Sequence, residues 1–276
     1  MTHESTTTRH SARGDRPTDD RNGAGPPATA SPAKAARPPS TKGKWLVPAL
    51  LLLSAIPVIA GAVRLTELAG GAEITPQNAR FVTAPVPVVV HIIGVTLYSV
   101  LGAFQFAPGL RRRRPGLHRA AGRLLVPCGL AAALSGLWMT LFYAHPADTG
   151  ALVTGFRLVF GSIMIVSLVL GFTAIRRRDI ARHRAWMIRA YAIAQGAGTQ
   201  ALTQLPWILI VGMPGKLSKG LLMGAAWLIN LAIAEWIIRR RPAGPIRTSA
   251  GAAVAAGGGV PAAAGSRIGA DSHHIA

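Results

Sequence analysis

Residues 112–120 read Arg-Arg-Arg-Pro-Gly-Leu-His-Arg-Ala, and residues 176–185 read Arg-Arg-Arg-Asp-Ile-Ala-Arg-His-Arg-Ala. Each stretch lies between two long apolar runs. The chain therefore turns back on itself twice within a membrane, and each turn carries an arginine triplet followed by His-Arg-Ala. Arginine clusters at the short turns between spans mark the cytoplasmic side. This repeat decides the topology and supplies the densest group of chemically capable side chains.

The composition agrees. Half of the residues are hydrophobic and 14% are charged, against about a quarter charged in a soluble domain. Apolar residues gather in runs of about 20, the length that crosses a hydrocarbon core. The net charge of +20 is concentrated beside these runs, and no arginine cluster is interleaved with aromatics on a soluble domain. Membrane topology accounts for the charge, and nucleic acid is not an expected partner. The single cysteine, Cys128, sits in an apolar run. It can form no intrachain disulfide and reads as a small packing hydrophobe.

The expected fold is an all-α membrane protein, a bundle of about six transmembrane helices containing two similar hairpins. The spans fall at 45–65, 86–107, 119–143, 156–175, 186–212 and 221–238. Together they form a transmembrane domain over 45–241. Residues 1–44 lack apolar periodicity and read as a disordered cytoplasmic tail. Residues 242–276, rich in Ala and Gly, read as a second disordered tail, whose His273 and His274 are too isolated to form a metal site. The first span follows a polar stretch too long for an ordinary signal peptide, so it reads as an uncleaved anchor. Arg111–Arg114, Arg119 and Arg123, then Arg176–Arg178, Arg182, Arg184 and Arg189, then Arg239–Arg241 all fall on one side. On the other side, Arg64 and Arg80 are balanced by Glu67 and Glu73, and Arg157 by Asp148; Lys216 and Lys219 dissent. The expected localisation is a bacterial plasma membrane with both termini cytoplasmic.

Helical geometry places the polar positions on faces. In span two, His91, Gly94, Tyr98, Gly102 and Gln105 share a stripe about 80° wide. In span three, His118, Gly122, Gly129 and Gly136 lie within roughly 40°. Such a glycine seam admits another helix or a flat ligand. Span five is the most polar, with Gln195, Thr199, Gln200, Thr203 and Gln204 over about half its circumference. These groups suit interhelical hydrogen bonds or a mid-membrane cavity. In span six, Glu235 stands four residues before Arg239, spacing that suits an ion pair.

At the turns, Pro115 suits the first turn of a helix and Asp179 suits an N-cap. With Arg114 and Asp179 as the cap positions, His118 and His183 take equivalent places four residues in. Arg119, Arg123, Arg184 and Arg189 surround them. Helix N-termini and arginines both attract anions, so the leading reading is a site for a small anionic ligand or lipid head group, with anionic lipids of the cytoplasmic face as partners. The ligand-binding candidates are therefore these six residues together with His91, Tyr98, Gln105 and Gln195. A competing reading is a redox protein binding haem b or a quinone, with His118 and His183 as axial ligands to the haem iron. A third is a small-solute transporter built on span five. The chain contains no phosphate-binding loop, His-Glu-x-x-His or nucleophile elbow, so the reading leans away from an enzyme and leaves the cofactor unknown.

Residues 102–123, Gly-Ala-Phe-Gln-Phe-Ala-Pro-Gly-Leu-Arg-Arg-Arg-Arg-Pro-Gly-Leu-His-Arg-Ala-Ala-Gly-Arg, resemble the first signature of an uncharacterised bacterial family of predicted membrane proteins with a domain of unknown function. Residues 175–192, through Asp179, His183-Arg184, Trp186-Met187-Ile188-Arg189 and Tyr191-Ala192, resemble its second. The likeness covers spans two to five and leaves out both tails. It implies a multi-pass plasma-membrane protein and supplies no catalytic residues.

Overall fold

The computed structural model describes residues 45–240. The expected tails, with Arg241, His273 and His274, lie outside the described residues. Among the described residues the secondary structure is helical: α1 Leu46–Ala69, α2 Ala79–Thr83, α3 Pro85–Gln105, α4 Pro108–Arg113, α5 Pro115–Phe142, α6 Ala151–Arg176, α7 Ile180–Ala194, α8 Gly196–Ile210 and α9 Lys216–Arg239. By length and composition α1, α3, α5, α6 and α9 can each cross a membrane. The fifth expected span, 186–212, is α7 and α8 in succession, interrupted at Gln195.

Several helices outrun their apolar segments. α5 begins at Pro115 rather than 119, and α6 at Ala151 rather than 156. Backbone hydrogen bonding continues into the polar flanks, and a helix of this length exceeds a hydrocarbon core of about 30 Å. The short helices α2 and α4 have no periodicity to announce them.

The two hairpins turn differently. Between α3 and α5 the chain inserts α4, and Arg114 leads into Pro115, which occupies the first turn. Between α6 and α7 the turn is tight. Arg178 adopts φ +61°, its N–H donates to Ile175 O at 3.0 Å, and the next N–H, of Asp179, donates to Ala174 O at 2.9 Å. That pair of bonds closes a Schellman motif with arginine where glycine is usual. Asp179 then caps α7, its carboxylate accepting from the Arg182 N–H at 2.9 Å.

α7 is packed on three sides, whereas α8 leaves Leu202, Leu205, Leu209 and Ile210 exposed. α7 packs on α3, α6 and α9, while α8 packs on α1 and α9. Around them α1 leans on α3, α3 on α5, α5 on α6, and α6 on α9. The polar residues at the junction of α7 and α8, Gln195 and Thr199, are buried, as expected where lipid rather than water is the outer solvent. Leu52, Ile59, Leu134, Phe172, Leu209 and Ile233 are exposed on the outside, where they meet the lipid bilayer. With no hydrophobic drive between helices in lipid, close packing of small residues brings them together. A Cβ on Gly94 would stand 2.9 Å from Cys128 O, and one on Gly129 would stand 2.8 Å from the Tyr98 ring. Cys128 is thus part of the packing, as its place in an apolar run suggests.

At the end away from the arginine triplets, Lys219 of α9 bonds Asp148 of the α5–α6 loop. The Lys219 ammonium holds the Asp148 carboxyl below the usual carboxylate range. This contact supports the fold above the ordinary carboxylate pKa, and its support disappears as pH falls through the lowered native value. Nearby, the Tyr143 hydroxyl donates to Ala84 O at 2.5 Å.

At the tight turn, glycine would relieve the left-handed strain of Arg178, roughly 1–2 kcal/mol, against a loss of about 0.5–1 kcal/mol from added chain freedom. Arg178→Gly should therefore raise the thermal unfolding midpoint slightly. Asp179→Ala should lower it, by about 1 kcal/mol of stability. Thermal unfolding of the purified protein in detergent measures both.

Candidate functional site

The interruption of span five creates a local problem. The last four carbonyls of a helix lack intrahelical donors, and in hydrocarbon each must still be satisfied. For α7 these belong to Tyr191, Ala192, Ile193 and Ala194. The Tyr191 carbonyl accepts from the Gln195 N–H at 3.0 Å. The Ala192 carbonyl accepts from Asn230 Nδ2 at 3.1 Å, and the Ile193 carbonyl from Trp227 Nε1 at 3.2 Å. Both side chains come from α9, which therefore caps α7 laterally.

Gln195 joins the same break to two more helices. Its Nε2 donates to the Tyr191 hydroxyl at 2.7 Å and to Ser54 Oγ at 3.0 Å. Tyr191 donates onward to Ser99 O at 2.7 Å, and Ser54 to Leu50 O at 2.8 Å. Gln195 and Ser54 are 4% and 1% exposed. Thr199 donates to Asn230 Oδ1 at 2.9 Å, and Thr203 to Leu222 O at 3.1 Å. These polar groups of span five thus link helices. Gln200 differs: its Nε2 is buried without a partner.

α1 meets α8 through another released carbonyl. Pro57 has no N–H to offer Leu53 four residues back, and the Leu53 oxygen faces Gly198 so closely that a Cβ there would collide with it. Beside this contact, an open apolar groove of about 420 Å³ is lined by Leu52, Leu53, Ile56, Gly198 and Leu202 among others.

At the arginine-rich end, both caps fall where the spacing places them. The His118 N–H donates to Arg114 O at 3.1 Å and the His183 N–H to Asp179 O at 3.0 Å. His118 lies within electrostatic reach of Arg111 and His183, so the two tips share one rim. His183 Nδ1 bonds Gly171 O at 2.8 Å. His118 Nδ1 and Gln105 Nε2 are both buried without partners. Arg119 and Arg123 are exposed, whereas Arg184 is half-buried. Arg189 is engaged elsewhere: its guanidinium grips Glu235 at 2.5 and 3.1 Å and lies 4.6 Å over the Trp186 ring. Glu235 therefore pairs mainly across helices, and the expected partner Arg239 stands 3.9 Å away. The guanidinium fork fits a carboxylate in two places at once, which the (i, i+4) spacing cannot foretell.

The glycine seam of α5 is filled by a helix over two of its three positions. Tyr98 covers Gly129 and His91 covers Gly136, while a Cβ on Gly122 would meet open space. His91 lies among its neighbours as a bundle histidine, with Nδ1 bonded to Ala132 O at 2.8 Å. Tyr98 and Tyr191 lie 5.9 Å apart, ring to ring. Among the described residues no group of three or more His, Cys, Asp or Glu is placed to hold a metal ion. Sequence reasoning passed over Ser54, Tyr191 and Trp227, whose roles depend on where the span breaks. The run Gln195-Gly196-Ala197-Gly198 is the signal that could have flagged them.

Apolar helices outside, a polar spine inside and arginine-capped turns define a multi-pass helical membrane protein. Residues 88–238 match a family described as "predicted membrane protein (DUF2306)", and the chain belongs to that family. No curated protein and no solved structure matches it.

Gln195→Leu removes a donor from both Tyr191 and Ser54 and should destabilise the protein by about 1–2 kcal/mol. Gly198→Ala should lower the unfolding midpoint further, because the clash is with backbone. An unchanged midpoint in both variants would refute the role given to this break.

Proposed function

We propose that this protein binds an anionic lipid head group or small anionic ligand at its arginine-rich rim, and that this rim and both termini face the cytoplasm of a bacterial cell. The orientation rests on the positive-inside rule. The observation that carries the binding reading is the pair of sequestered nitrogens, Gln105 Nε2 and His118 Nδ1. A carboxamide nitrogen can only donate, and Nδ1 donates in the tautomer that carries its proton, so an acceptor would satisfy both. Arg111 and the exposed Arg119 and Arg123 supply the field that draws an anion there. His183 and Arg189 act as supports, since Gly171 and Glu235 already engage them.

Haem b held between His118 and His183 is the second reading, and one observation favours it. The bond from His183 Nδ1 to the Gly171 carbonyl leaves Nε2 as the ligating nitrogen, the arrangement typical of metal-bound histidine.

Two measurements separate the readings. Protein carrying Gln105→Leu and His118→Ala should retain several-fold less co-purified phosphatidylglycerol or cardiolipin than wild type, with little change in unfolding midpoint. Equal retention refutes the anion site. A visible spectrum from haem-replete cells should show no band that shifts on reduction; such a band, lost in His118→Ala, would establish the haem reading instead.

A further inference from the structure

α3 and α5 run antiparallel and pack along matched stripes whose members are seven residues apart. On α3 the stripe is His91, Tyr98 and Gln105; on α5 it is Gly136, Gly129 and Gly122. The first two pairs are in contact. A Cβ on Gly136 would stand 3.1 Å from His91 Cε1, and one on Gly129 would stand 2.8 Å from Tyr98 Cε2. Equal steps along both helices carry this register one pair further. They set Gln105, the last residue of α3, opposite Gly122.

The third pair differs from the other two. Gly136 and Gly129 each leave a gap that a planar ring fills, the imidazole of His91 and the phenol of Tyr98. A Cβ on Gly122 would meet no atom within 4 Å, although Gly122 is half-buried. Across the seam, Gln105 Nε2 is buried without a partner. His118 Nδ1, one turn toward the rim on the stripe of Gly122, is buried without a partner too. Two nitrogens that are costly to leave unpaired thus flank a gap of the kind that holds a ring elsewhere in the seam. Arg119 and Arg123, which follow His118 and Gly122 directly, are exposed and make its mouth positive.

We propose, resting on the reading of the rim as an anion site, that the gap at Gly122 takes an aromatic carboxylate. Its ring lies against Gly122 and its two oxygens accept from Gln105 and His118. A carboxylate conjugated to a ring lies in the plane of that ring, so the whole anion is flat. It fits between two helices that glycine lets approach closely. One oxygen serves the donor on each helix, with His118 in the tautomer that carries its proton on Nδ1. A phosphate, tetrahedral and without a ring, satisfies the donors but does not fill the space against Gly122.

The test follows thermal unfolding of the full chain in detergent against rising benzoate, with cyclohexanecarboxylate and inorganic phosphate as comparisons. Cyclohexanecarboxylate has the same charge but a puckered, thicker ring. Benzoate should half-saturate wild type at a concentration roughly tenfold below either comparison, the order of effect of one well-packed ring face. Gly122→Ala has room for its methyl group and suits a helix interior, so it should fold. It should bind benzoate several-fold more weakly, and Gly122→Leu, which fills the gap, should lose the effect. The alanine variant decides alone if the leucine variant fails to fold. The Gln105→Leu, His118→Ala double variant should also lose the effect. The ring pocket is overturned if benzoate acts no better than cyclohexanecarboxylate, or if its effect is unchanged in the Gly122 variants. In that event, phospholipid retention that still falls in the double variant leaves the rim an anion site without a ring pocket. Retention that does not fall removes the anion site as well.

Discussion

The demand that every backbone polar group be satisfied in hydrocarbon governs this bundle. It is felt most at the interruption of span five, where α7 stops at Ala194 and α8 starts at Gly196. The carbonyls exposed there recruit Asn230 and Trp227 from α9, and the side chain that follows, Gln195, reaches α3 through Tyr191 and α1 through Ser54. Most of the polarity of span five thus answers a structural need. The released Leu53 carbonyl against Gly198 is a second instance of the same constraint, solved by removing a side chain.

The two arginine-rich tips show how similar sequences reach one position by different turns. The first tip inserts a short helix before Pro115; the second uses a left-handed Arg178 and an Asp179 cap. Both deliver a histidine one turn into a helix on the same rim. Their environments then diverge. His183 is tied to Gly171, while His118 keeps a buried Nδ1 with no partner, as does the Nε2 of Gln105 at the end of α3.

Charge is arranged by different rules at the two ends. The rim carries many arginines, most of them exposed, with Arg189 drawn inward to bind Glu235. The other end carries fewer cations, and two of its carboxylates are paired, Glu67 with Arg64 and Asp148 with Lys219.

The order of spans, the hairpins and the rim that gathers the arginines were all legible in the chain itself. Apolar run length and turn chemistry are local properties, and lipid permits few alternatives. The cap positions of His118 and His183 were legible for the same reason, since a cap is set within four residues. Partnership was not. That Glu235 binds Arg189 more closely than Arg239, that Asp148 bonds Lys219, and that the α5 seam is filled at Gly129 and Gly136 but open at Gly122 all depend on which helices stand side by side. Such contacts join residues far apart in sequence, so tertiary packing decides them, while the sequence by itself determines the helices and the ends at which they turn.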